Sequence, residues 1–261
     1  MDLDIGWIIT LFAIGFIGSF ISGMVGIGGS IIKYPMLLYI PPALGFLAFT
    51  AQEVSAISAV QVFFATIAGV FAYRKGGLIN KRLVLYMGIP IVLGSFIGGY
   101  GSKFLPDSVI NLTYAVLALI AAIMMFFPKK GVDRDDYSNL QFNKGIASTA
   151  AAVVGILSGV VGAAGAFIIV PIMLVILKIP TRVAIASSLA ITFISSIGSS
   201  VGKVMGGHML LIPSIVMVVA SIIGSPIGAK IGQKMNVKVL QWVLAGLITA
   251  TVIKIWIDIL A

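Results

Sequence analysis

The sequence predicts an all-α polytopic membrane protein built from two inverted repeats. Each repeat has about four long transmembrane helices plus one glycine-broken half-helix. Three observations carry this. The chain of 261 residues is 60% hydrophobic and only 10% charged, with a mean hydropathy of +1.17, whereas about a quarter of a soluble domain is charged. Its apolar residues gather in runs of membrane-spanning length. Its second half also repeats the glycine pattern of the first.

The long apolar runs fall at 5–25, 46–72, 83–104, 107–127, 144–161, 183–203, 211–232 and 237–259. The first follows an acidic start, Met1-Asp2-Leu3-Asp4. A cleavable signal peptide needs a basic start and a shorter apolar core, so this run reads as a retained helix. Two further stretches, 31–40 and 167–177, are short. At about 1.5 Å per residue they reach roughly half of a hydrocarbon core about 30 Å thick, so they read as half-helices. The polar segment from Pro128 to Asn143 separates a first repeat (1–127) from a second (144–261), with 128–143 as a cytoplasmic linker.

The repeat follows from direct comparison. Ser22-Gly23-Met24-Val25-Gly26-Ile27-Gly28-Gly29 lies over Ser158-Gly159-Val160-Val161-Gly162-Ala163-Ala164-Gly165, and Pro35 over Pro171, at an offset of 136. Gly76-Gly77 lies over Gly206-Gly207, Gly94-Ser95 over Gly224-Ser225 and Gly98 over Gly228, at an offset of 130. One gap reconciles the two offsets.

Charge gives the orientation. If each half crosses an odd number of times, thirteen of the seventeen Lys and Arg residues share one side: Arg74, Lys75, Lys81, Arg82, Lys129, Lys130, Arg134, Lys144, Lys178, Arg182, Lys230, Lys234 and Lys238. Only Lys103, Lys203 and Lys254 fall opposite, and Lys33 sits at a break. The positive-inside rule puts the thirteen in the cytoplasm and both termini outside. An even crossing number would split these clusters, so the pattern favours inverted halves, an architecture common among secondary transporters. The net charge of +9 is thereby explained by loops facing the cytoplasm, and nucleic acid is not an expected partner. The expected partners are a small anion and the lipid bilayer, with a homo-oligomer left open.

The glycine breaks are the main candidate site. Irregular backbone inside a membrane has to be buried in protein or line a wet cavity. A half-helix starting there turns its N–H groups and positive dipole end toward the break, which suits an anion. Gly28, Gly29 and Ser30 in the first break, and Gly165 and Ala166 in the second, are therefore candidate substrate-binding residues. Lys33, four residues into the first half-helix, either attracts the anion or snorkels to the interface. Ser58 and Gln61 on the second long segment, and Ser188 and Thr192 on its repeat mate, supply hydroxyl and amide groups for an anion or for helix–helix hydrogen bonds. Glu53 is the one acid well inside an apolar run and is the candidate proton-coupling group. The strings Gly94-Ser95-Phe96-Ile97-Gly98 and Gly224-Ser225-Pro226-Ile227-Gly228 read as packing motifs.

No cysteine is present, and His208 stands alone in its loop. No metal site, cofactor or catalytic constellation is expected, and the chain is not expected to be an enzyme. The run from Gly23 to Gly29 lacks the strand context and the Lys-Ser/Thr ending of a nucleotide loop.

The Ser-Gly-x-x-Gly-x-Gly-Gly run at 22–29 with Pro35, its weaker echo at 158–165 with Pro171, and Gly76-Gly77 resemble the TauE/SafE sulfite exporter family, also called the toluene sulfonate uptake permeases. The likeness covers nearly the whole chain. It implies a multi-pass protein of the bacterial inner membrane that moves sulfite, a sulfonate or a related organosulfur anion. The absence of an ATP-binding motif directs the expectation to ion-gradient coupling, with protons as the expected ion, or to passive transport. The second glycine run departs from the first, with Ala163, Ala164 and Ala166 in place of Ile27, Gly28 and Ser30, so the half-sites are expected to contribute unequally. The alternatives are a channel or carrier for another ion, which predicts more intramembrane carboxylates, and a non-transporting membrane scaffold.

Overall fold

A computed structural model describes residues 4–25, 30–73, 77–126 and 140–236, together with the helical positions 239, 242, 246, 249, 253, 256 and 257. The described residues are helical or in turns, with no strand among them. In order, they form α1 (Ile5–Val25), α2 (Ser30–Ala43), α3 (Ala51–Tyr73), α4 (Lys81–Gly101), α5 (Asp107–Phe126), α6 (Lys144–Val161), α7 (Ala166–Pro171), α8 (Thr181–Gly206) and α9 (Leu211–Lys234). Six of them, α1, α4, α5, α6, α8 and α9, are long and apolar enough to cross a membrane. The expected eighth long run, 237–259, falls mostly outside the described residues.

Local chemistry sets the ends of these helices. Asn80 and Asn143 each precede a lysine and cap α4 and α6, their side chains accepting from Leu83 N and Ile146 N. Gly45, at φ +82°, ends the turn after α2. The second long run was expected from residue 46, but α3 starts at Ala51. The reason is a capping box, in which Glu53 N donates to Thr50 Oγ1 (3.2 Å) and Thr50 N donates to Glu53 Oε2 (2.8 Å).

Both expected short helices are present. α2 carries Pro35, Pro41 and Pro42. α7 lasts six residues and continues as a π-turn over Ile172–Ile176. Pro171 has no N–H for the α ladder, and the chain re-registers with Leu177 N donating to Ile172 O.

α8 runs through the middle of the bundle, buried on every residue from Val183 to Thr192. Its neighbours are α4 and α3; α4 also packs on α6, and α9 on α1 and α3. Large apolar side chains such as Ile9, Ile89, Leu93, Val219 and Ile223 are exposed on the outer faces, as a lipid-facing surface requires.

Glycine allows the closest approaches, and three pairs of them are matched between the halves. A Cβ on Gly94 would meet Ala152 O and Ile156 N of α6, and one on Gly224 would meet Phe16 O and Phe20 N of α1. Gly98 faces Ile156 O and Val160 N, while Gly228 faces Phe20 O and Met24 N. In reverse, Gly159 faces Ser95 O and Gly99 N, while Gly23 faces Ser225 O and Ala229 N. The offsets of 136 and 130 convert each contact into its partner atom for atom. The two small-xxx-small strings are therefore packing contacts, as read from the sequence.

The same contacts give helix directions. α1 and α9 run the same way, from Gly15 against Met217 and Ala220 to Gly232 against Met24. α4 runs with α6, and also with α8, from Gly88 against Ile194 to Gly202 against Tyr100. Four residues, 207–210, join α8 to α9.

Candidate functional site

Lys33 lies on α2, fully buried, and its Nζ has no hydrogen-bond partner among the described residues. Gly18 makes room for it. A Cβ on Gly18 would overlap Lys33 Cγ and stand 2.6 Å from Cδ, so the lysine stem fills a notch in α1. The side chain is enclosed by its neighbours rather than exposed at the surface. The next residue anchors α2: Tyr34 stacks on Tyr114 of α5 with centroids 4.5 Å apart, and its hydroxyl donates to Asn111 Oδ1 (2.8 Å).

Gln61 of α3 approaches the same turn of α1. Its Nε2 donates to Ser19 Oγ (3.0 Å) and Gly15 O (3.4 Å). Ser19 Oγ donates to Ser221 Oγ (2.9 Å), which donates to Met217 O (2.6 Å). Among the described residues Gln61 Oε1 is left without a partner, as are the buried Ser58 Oγ of α3 and Thr192 Oγ1 of α8. The third and eighth helices meet near these groups, where Phe63 stacks on Phe193 at 5.5 Å. Buried polar atoms are normally satisfied. Unpartnered atoms on adjoining helices make this region the candidate site.

Of the sequence candidates, the structure thus draws Lys33 and Gln61 to one turn of α1, with Ser58 one turn from Gln61 on α3. Thr192 comes from α8. Ser188 is also buried, and its hydroxyl bonds Ile185 O (2.8 Å), an internal helix contact. Gly28 and Gly29 lie outside the described residues; Ser30 opens α2, but its side chain is likewise outside them. Ala166 opens α7, and its side chain too falls outside the described set.

The second break is well defined. Gly162 ends α6 at φ +73°, and Gly165 precedes α7 at φ +72°. A Cβ on Gly162 would collide with Ser55 O, so this position needs glycine for space as well as for backbone. The break stands level with the first turns of α3 and the last turns of α8, not with their middles. Lys203 holds it there, with Nζ donating to Val160 O and to Ser102 Oγ, both at 2.7 Å. Val160 O also accepts from Ser55 Oγ (2.9 Å). Three helix C-termini, of α4, α6 and α8, converge on this lysine, which complements their dipoles.

Glu53 departs from its expected position. It is in the first turn of α3, half-buried and engaged in the capping box, rather than deep in an apolar run. It lines a cavity of about 460 Å³ with Asp4, Trp7, Phe46 and Phe49 at the end of the bundle where α1, α3 and α9 begin. Among the described residues no group of three His, Cys, Asp or Glu is placed to hold a metal.

Sequence reading missed Ser19, Ser221 and the Phe63–Phe193 pair. Only the last had a signal: the same residue at equivalent positions of two matched helices.

Residues 11–255 match the family described as Sulfite exporter TauE/SafE. A probable membrane transporter protein of Bacillus subtilis, YunE, is 25% identical over 77% of this chain and 80% of its own length. Probable membrane transporter proteins of Xylella fastidiosa and Methanocaldococcus jannaschii (MJ0441) are each 27% identical, over 70% and 72% of this chain and 68% and 69% of their own. No solved structure matches the chain.

Proposed function

The chain is a membrane transporter of the sulfite exporter TauE/SafE family, and from that premise we propose that it is a secondary transporter of a small anion whose charge is met by Lys33. The observation that carries the proposal is the buried ammonium of Lys33, which has no hydrogen-bond partner among the described residues. A cation enclosed at membrane depth is costly, about 2.5–3.5 kcal/mol on insertion scales, and it is retained where it has a partner for part of the cycle. Here no protein carboxylate fills that role among the buried residues. An anionic substrate does.

The substrate class proposed is sulfite, a sulfonate or a related organosulfur anion. Its oxygens match the donors of Lys33 and the hydroxyls of Ser58 and Thr192. Family membership points the same way, since the family's description names sulfite export. Gly165 of the second break, with Ser30 and Ala166, belongs to the proposed path as backbone that frames it; Gly28 and Gly29 are proposed with them from the sequence alone.

The proposed architecture is two inverted halves in the bacterial inner membrane. It is supported by the matched contacts, in which α1 packs on α9 as α6 packs on α4. It is supported further by direction. α4, α6 and α8 are co-directional, α1 runs with α9, and a four-residue turn makes α8 and α9 opposed. Each helix then opposes its repeat mate, the relation expected of inverted repeats. Lys81, Arg82, Lys144, Lys178, Arg182, Lys230 and Lys234 share one end in this arrangement, which is assigned to the cytoplasm.

Coupling is proposed to be to protons, with Glu53 at the opposite mouth as the exchanging group. Gln is accepted at the third position of a capping box, so Glu53→Gln separates proton exchange from helix capping. The test of the whole reading is flux in proteoliposomes across a panel of sulfur oxyanions and inorganic cations, with and without a pH gradient. Saturable movement of a sulfur oxyanion, driven by the gradient, is expected. Robust cation flux with no anion movement would overturn the substrate class, and anion flux indifferent to pH would remove proton coupling.

A further inference from the structure

We infer that the Lys33 site takes a monoanion bearing its own hydrogen-bond donor, an N–H or O–H beside the charged group, and discriminates against a dianion of the same shape. This rests on the reading of Lys33 as the anion's counter-charge and specifies the ligand further.

The first argument is a charge inventory. Among the described residues only two charged side chains are buried, Lys33 and Lys203. Lys203 is committed to Ser102 and Val160 at one end of α8. One positive charge therefore serves the site. A monoanion makes the occupied site neutral. A dianion leaves one negative charge uncompensated in a low-dielectric interior, which is heavily penalised.

The second argument is the polarity of a hydrogen-bond chain. Met217 O, a carbonyl, only accepts. Ser221 donates to it and so receives the proton of Ser19, and Ser19 in turn receives a proton from Gln61 Nε2. The chain fixes which end of the Gln61 amide faces α1. Oε1 is turned away and stays without a donor in a fully buried residue. Lys33 and Gln61 flank one turn of α1, the lysine stem over Gly18 and the amide on Gly15 and Ser19. An acceptor beside the turn that seats the lysine stem, and the ammonium at the end of that stem, both without a partner among the described residues, are complementary to a ligand with anionic oxygens and one donor.

Three tetrahedral sulfur anions of nearly equal size test this. Sulfamate carries an amino group, methanesulfonate a methyl group and sulfate a second charge in the same place. Their binding to the purified full chain is measured by calorimetry. Sulfamate is expected to bind about tenfold tighter than methanesulfonate, and methanesulfonate about a hundredfold tighter than sulfate. Gln61→Met is expected to erase the preference for sulfamate while both monoanions stay ahead of sulfate. The wild-type series decides even if that variant does not fold. Sulfate binding as well as methanesulfonate overturns the inference but leaves an anion site standing, and equal affinity for sulfamate and methanesulfonate overturns the donor requirement. Binding of none of the three overturns the anion reading itself.

Discussion

Phe63 of α3 and Phe193 of α8 stack with their ring centroids 5.5 Å apart and their planes 26° apart, and they are the same position of the two halves at the offset of 130. In the proposed inverted arrangement, a residue that touches its own repeat mate lies on the axis relating the halves, as in any isologous contact. The flanking contacts obey the same relation, Ser225 Oγ donating to Ala65 O where Ser95 Oγ meets Ser195 Oγ. The unpartnered atoms of Gln61 and Thr192 come from residues adjoining this point in sequence, so the proposed substrate site lies close to the axis.

The inverted arrangement predicts opposite exposure of equivalent loops. Leu78 and His208 are repeat mates in the turns after α3 and α8. The chain has no cysteine, so single-cysteine variants at these two positions report cleanly to a membrane-impermeant reagent. They should label from opposite faces in oriented vesicles. Labelling from the same face would refute inversion.

Matched packing predicts matched damage. Gly98→Ala and Gly228→Ala each push a methyl group into a carbonyl of the facing helix, Ile156 O or Phe20 O. Each should cost about 1–3 kcal/mol, read as a lower melting temperature in detergent. Gly101→Ala, with open space around it, should change little.

The two buried lysines should respond oppositely to loss of charge. Lys203→Met removes two charge-assisted bonds and frees Val160 O and Ser102 Oγ, at a cost of roughly 1.5–3 kcal/mol. Lys33→Met removes a cation with no partner among the described residues and should raise the melting temperature of the ligand-free protein while abolishing anion binding, a trade of function for stability. Destabilisation by both variants would show that Lys33 has a structural partner.

Glu53→Gln should keep the fold and blunt the response of flux to a pH gradient. Thr50→Ala removes the cap and should cost about 0.5–2 kcal/mol without altering that response. Identical gradient dependence in wild type and Glu53→Gln would leave Glu53 with capping alone.

Much of this was legible in the sequence because glycine and proline act locally. The break at Gly162–Gly165, the short α2 and α7 and the packing strings all follow from where a Cβ or an N–H is missing. The start of α3 was misplaced because Phe46–Phe49 continue the apolar run, and hydropathy overrides the Thr50–Glu53 cap when read alone. That same oversight put Glu53 too deep. The fate of Lys33 was undecidable from its own segment, since its burial depends on a notch at Gly18 of another helix. The Gln61–Ser19–Ser221 chain joins residues up to 202 positions apart, and nothing local marks it.

The most direct test of the central claim compares wild type with Lys33→Gln in proteoliposomes, following uptake of sulfite and of a simple sulfonate, with folding of the variant checked by its melting curve. Loss of one charge-assisted contact should raise the apparent KM about ten- to a hundredfold or stop transport. A folded Lys33→Gln protein with unchanged kinetics would contradict the account.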